Sequence, residues 1–131
     1  MQLADFLGDW RLTREIRHAD GTLGRFEGVA DWVRSENGAL YTERGTLVIE
    51  GQGEFQAERR YGWDSDLRVF FDDGRFFHQV PGQGGSAGHW CDPDQYDVTY
   101  DFSAWPEWHC RWRVLGPRKD YVMTTGYRRA G

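Results

Sequence analysis

The chain has 131 residues, a net charge of −5 and basic side chains dispersed among acidic ones, which bounds it to one domain with room for one enclosed cavity and speaks against a nucleic-acid-binding face. Aromatic residues make up 16% of it, with seven Trp, against a mean hydropathy of −0.76, so its apolar material is large rings set among charged neighbours, as in a two-faced sheet. No window approaches the roughly 18 apolar residues of a membrane span, and Met1-Gln2-Leu3-Ala4-Asp5 lacks the basic and apolar regions of a signal peptide; the expectation is a cytoplasmic protein with no membrane partner, whose Cys91 and Cys110 stay reduced.

Leu3, Phe6 and Leu7 have the spacing of a single helical turn, a short plug for one end of the molecule. From Trp10 the period changes to two. Trp10, Leu12, Arg14 and Ile16 share one face up to the turn Ala19-Asp20-Gly21; Phe26, Gly28, Ala30 and Trp32 share one up to Asn37-Gly38. Tyr41, Glu43, Gly45, Leu47 and Ile49 follow, then Phe55, Ala57, Arg59, Tyr61 and Trp63, which places Arg59 among rings. Two short strands, Leu67 to Phe71 and Arg75 to Val80, carry doubled Phe pairs (Phe70 with Phe71, Phe76 with Phe77), so apolar bulk falls on both faces; His78 is assigned the face of Phe76 and Val80. Pro81 to Gly88 reads as a Gly-rich loop at the open end, followed by a short strand His89-Trp90-Cys91. Three further alternating runs, through Tyr96–Phe102, Trp108–Val114 and Tyr121–Arg129, complete the chain.

Strands joined in sequence by tight turns, with no long helix, predict an all-β antiparallel up-and-down barrel of about 8–10 strands over residues 1–131, closed to remove its edges. Gly8-x-Trp10 after a plug helix and an Arg in the last strand, Arg128 or Arg129, resemble the calycin superfamily of lipocalins and fatty-acid-binding proteins. More closely, Phe6-Leu7-Gly8-x-Trp10, Asp73-Gly74-Arg75-x-Phe77-His78, Gly116-Pro117-Arg118-Lys119 and Thr125-x-Tyr127-x-Arg129 resemble a family of small uncharacterised bacterial proteins of calycin type. The resemblance implies that the terminal Arg packs across Trp10 and closes the floor; Gly8, Trp10 and Arg129 are assigned that role. Fatty-acid-binding proteins hold a carboxylate with Arg-x-Tyr on the last strand, whereas here the order is Tyr127-x-Arg129. No haem or other cofactor is expected, because His109 has outward parity.

Polar groups of inward parity nominate the site. A buried guanidinium must be paired or must await an anion, so Arg14, Glu43, Arg59, Tyr61, His78, Tyr127 and Arg129 are the candidate ligand-binding residues. They suit an amphipathic or aromatic carboxylate or phosphate held by one Arg; the same groups could equally satisfy one another as an internal Arg-Glu-Tyr network. An alternative is a small enzyme with His78 or His89 as general acid or base, although no acidic orienter is placed by the sequence. A third is an interaction module, a homodimer through the Phe-rich hairpin. Neighbouring His109 and Cys110 point to opposite faces, so no metal site is expected.

Overall fold

The computed structural model describes residues 1–131. A one-turn helix, α1 (Leu3–Phe6), leads into β1 (Gly8–His18), β2 (Leu23–Ser35), β3 (Gly38–Ile49), β4 (Gly53–Asp64), β5 (Arg68–Phe71), β6 (Phe76–Gln79), β7 (Gly85–Cys91), β8 (Asp94–Asp101), β9 (Trp108–Gly116) and β10 (Lys119–Arg129). These form one antiparallel sheet in the order β6-β5-β4-β3-β2-β1-β10-β9-β8-β7. It curls into a nearly closed, lipocalin-like up-and-down barrel. The two ends of the row, β6 and β7, meet across a seam without ladder hydrogen bonds, where the rings of Phe76 and Phe77 each lie 5.9 Å from that of His89.

Inward alternation follows the residue pattern through β1–β3. Trp10, Leu12 and Arg14 on β1, Phe26, Ala30 and Trp32 on β2, and Tyr41 and Glu43 on β3 are all buried. The closed end is built from rings. Phe6 is ringed by Trp32, Trp63, Phe102, Trp105 and Trp108, and the Trp10 indole N–H donates to the Phe6 carbonyl at 2.7 Å. Arg129 lies 3.9 Å above the Trp10 ring and donates to the carbonyls of Leu7 and Asp5 at 2.8 and 2.7 Å. Gly8 has φ +109°, and a Cβ there would meet the Arg129 guanidinium at 3.2 Å, so both its backbone and its neighbour require glycine.

Three sequence expectations change. Gly85–Gly88 belong to β7 rather than to a loop, and the remaining turn sits at the closed end, where the Met1 ammonium donates to the Gly82 carbonyl at 2.6 Å. In an up-and-down barrel the even-numbered connections return to the plugged end, and this is the sixth. Second, β6 does not alternate: Val69 faces His78 but Phe70 faces Phe76, a bulge that accommodates Phe77 as an extra residue. Phe77 and His78 are both buried while Phe76 is 46% exposed, so His78 shares the interior with Phe77 and not with Phe76. Third, β5 pairs with β4 only from Tyr61 to Trp63, so the first eight residues of β4 have no neighbour on that side and Arg59 is exposed at the open end instead of enclosed by rings.

β2 and β3 approach closely where Gly28 faces Gly45. A Cβ on Gly28 would stand 2.3 Å from the Arg44 carbonyl oxygen, whereas one on Gly126 would meet nothing closer than 3.8 Å. Gly28→Ala should therefore lower the unfolding free energy by about 2–4 kcal/mol in urea titrations, with Gly126→Ala within about 0.5 kcal/mol of the parent. Equal effects at the two positions would show that the close approach of β2 and β3 is dispensable.

Candidate functional site

The central layer of the lumen is a closed polar network. Arg14 on β1 makes two hydrogen bonds to the Glu43 carboxylate on β3, at 2.6 and 2.9 Å, and its Nε donates to Thr125 Oγ1 on β10 at 2.8 Å. Tyr41 donates to Glu43 at 2.6 Å and meets the Tyr127 hydroxyl at 2.8 Å. Arg14 also lies 5.4 Å from the Phe26 ring centroid. Burial alone would pull the Arg14 pKa down and push that of Glu43 up. The bidentate contact outweighs both effects, so Arg14 is raised and Glu43 lies below the usual carboxylate range. Burial holds the Tyr41 and Tyr127 phenols well above their ordinary value. With all its charge answered internally, this layer has little to offer a ligand.

Next to it, His78 Nε2 hydrogen-bonds the Tyr100 hydroxyl at 2.8 Å, while the buried nitrogens His78 Nδ1 and Trp108 Nε1 have no partner. Burial, with a smaller contribution from His89, pulls the His78 pKa down to about 3, so the imidazole is neutral at physiological pH. No carboxylate is hydrogen-bonded to His78 or to the half-buried His89, whose pKa is lowered by burial and then by Arg75. The cavity between the two layers measures about 30 Å³. That is room for one or two waters, against roughly 300–1,000 Å³ for a ligand pocket. The lumen is thus largely filled by its own side chains.

Exposure falls along β4 from Arg59 through Tyr61 to Trp63, all of which line the cavity. Burial raises the Tyr61 phenol, and the adjacent Arg59 guanidinium only partly offsets this. Arg59 has no ion-pair partner, whereas Arg14 is neutralised by Glu43 and Lys119 by Asp94 at 3.0 Å. The lumen is therefore left with one uncompensated positive charge, at its open end.

Of the residues nominated from sequence, Arg14, Glu43 and Tyr127 come together in the central network, Arg59 and Tyr61 lie side by side towards the open end, and His78 sits against Tyr100. Arg129 is a correction: both its terminal nitrogens are spent on the floor carbonyls of Leu7 and Asp5, so it does not reach the lumen as a ligand-binding residue. Tyr41, Thr125 and Tyr100 were missed although each has inward parity in its strand, and a search for every inward polar group, not only the charged ones, would have found them. Phe77 had no such signal, because the bulge reverses its phase.

These features define the class: a lipocalin-like barrel with a largely filled lumen and one free cation facing into it. The chain belongs to a family of unknown function (DUF6314), whose profile matches residues 6–129. No curated protein matches it in sequence. Among solved structures it is similar to the S-type phycobiliprotein lyase CPES from Guillardia theta, with TM-score 0.65 and 8% identity over 98% of this chain and 90% of that one. It also matches a de novo designed fluorescence-activating β-barrel, with TM-score 0.47 and 14% identity over 98% and 96% of the two chains.

An exposed histidine takes up a proton near pH 6.5, but His78 in the fold resists protonation down to about 3. Its contribution to stability is complete above about pH 6.5 and is lost as pH falls from there towards 3, by up to ~1.4 kcal/mol per pH unit. Urea unfolding at a series of pH values between 7.5 and 4 should show a steeper loss in the parent than in His78→Gln. Parallel curves would mean that the folded imidazole takes up its proton as readily as the unfolded one.

Proposed function

We propose that the protein binds a small aromatic or amphipathic anion through the open end of its lumen, with Arg59 as the charged anchor and Tyr61 as its hydrogen-bonding neighbour. Support comes above all from the Arg59 guanidinium, which lines the cavity without an ion-pair contact, because Glu43 opposite it on β3 is held by Arg14, while Lys119 is paired with Asp94. An anionic group gains a charge-assisted contact there without breaking one that exists. The rings of Tyr61, Trp63 and Trp112 line the same cavity and suit an apolar or aromatic body.

Phenylacetate, titrated by NMR or by its effect on Trp fluorescence, should bind with one-to-one stoichiometry, and Arg59→Ala should weaken binding by about 10- to 100-fold while leaving the fold intact. Unchanged affinity in a folded Arg59→Ala protein would remove the anchor. Native mass spectrometry of the purified protein, before and after denaturation, supplies an independent check by revealing any retained small molecule.

A second reading, self-association, is favoured by a separate observation on the outer surface. Strand registers align Val33, Leu40, Gly62, Phe70 and Phe76 in one outward row across β2 to β6, and Val33, Leu40 and Phe76 are 57%, 42% and 46% exposed. Such a row is self-complementary in a two-fold dimer. Sedimentation analysis should then find a dimer that Phe76→Ser dissociates; a monomer at all concentrations would exclude it.

A further inference from the structure

Phe77 is fully buried and surrounded by rings on all sides. It stacks on Phe71 with centroids 4.5 Å apart and planes at 13°. Trp112, Tyr96, His89 and Tyr61 follow at 5.1, 5.2, 5.9 and 6.2 Å, and His78 at 4.3 Å. Rings so arranged, with one stacked face and several edge contacts, form a cage for a planar aromatic guest. Here the guest is a residue of the chain itself, turned inward by the β6 bulge. The segment that carries it is the least secured part of the wall. β6 has a ladder only to β5, β5 meets β4 over three residue pairs, and the side of β6 facing β7 has no ladder at all. Tyr61 joins the two halves of the site, because it belongs to the cage and neighbours Arg59.

We infer that Phe77 is an internal stand-in for the ring of the ligand: the cage of Tyr61, Phe71, Tyr96 and Trp112 accepts a single-ring aromatic carboxylate, its carboxylate towards Arg59, when β6 withdraws Phe77 along the β6–β7 seam and β5 stays on β4. This rests on the anion-binding role of Arg59 proposed above and supplies what that role lacks, namely the space that a 30 Å³ cavity does not provide. Withdrawal of the Phe77 ring is a conformational step that lowers apparent affinity, because only the open fraction of molecules can bind.

The test is phenylacetate binding by calorimetry and NMR to the parent, Phe77→Ala, Phe76→Ala, Arg59→Ala and the Phe77→Ala/Arg59→Ala double variant. Phe76 is the control, being on the same hairpin but facing outward. Phe77→Ala should bind at least about tenfold tighter than the parent, since no internal ring has to be displaced; Phe76→Ala should match the parent, and the double variant should lose the gain. Parent binding that depends on Arg59 but is not tightened by Phe77→Ala would overturn the cage and keep the anchor. Tightening that survives loss of Arg59 would mean a generic cavity and also overturn the inference. No binding by any folded variant would end both proposals. Should Phe77→Ala fail to fold, the parent decides the matter: bound phenylacetate must show NMR contacts to Trp112 and Tyr96 while Phe77 loses its own contact with Trp112, and retention of that contact would count against displacement.

Discussion

Taking a guanidinium and a carboxylate out of water costs several kcal/mol per ion, recovered only when geometry and additional hydrogen bonds are good. Arg14 and Glu43 meet that condition through a bidentate contact, with Thr125, Tyr41 and Tyr127 completing the set. Three strands are thereby fixed with respect to one another: β1 and β10 by the Arg14–Thr125 bond, and β1 and β3 by the ion pair that reaches over β2. A one-residue slip of β1 or β3 would turn a charged member of the network outward and strand its partner in an apolar interior, and a slip of β10 would take Thr125 and Tyr127 out of it. The pair therefore acts on register at least as much as on stability. Its second consequence is that a network that satisfies itself offers no anchor, so that in the proposed function recognition falls to Arg59.

The two ends of the barrel have opposite physics. At the closed end, Phe6 and its surrounding Trp residues exclude water, and Arg129 clamps α1 to Trp10. At the open end the wall is uneven: β4 runs eight residues beyond its ladder with β5, and polar side chains alternate with half-covered rings. At this end and at the seam below it, local opening disturbs fewer hydrogen bonds.

Much of this was legible in the residue order. Alternation in β1, β2 and β8 to β10 gave the buried faces, since a period of two has one solution once Trp10 is placed inward. Two things were not legible. A bulge adds one residue without any compositional mark, so the doubled Phe of β6 looked like a strand with two apolar faces when it is a strand whose phase breaks at Phe77. Exposure along β4 was also hidden, because parity says which way Arg59 points and not how far the neighbouring strand extends. The position of the glycine-rich turn, by contrast, could have been deduced. Each strand crosses the barrel once, so counting connections from the plug puts the sixth at the closed end, and the glycines suggest a loop at the open end only by composition.

A sheet that closes on itself must end somewhere, and where it ends determines what can move. Here the last ladder is missing between β6 and β7, and the polar edges that a ladder would satisfy are replaced by side chains: Phe76 and Phe77 against His89, and Arg75 donating to Cys91 Sγ at 3.9 Å. Ring packing of this kind is strong in total but has no directional lock, so it can separate and re-form without the penalty of breaking a row of backbone hydrogen bonds. The seam also carries the two features that break the regularity of the barrel, the inward bulge at Phe77 and the neutral His78. A broken register, missing hydrogen bonds and an enclosed ring coincide in one four-residue strand. The strand across the seam, β7, is held by β8 along its whole length, so that coincidence makes β6 the least secured element of the wall.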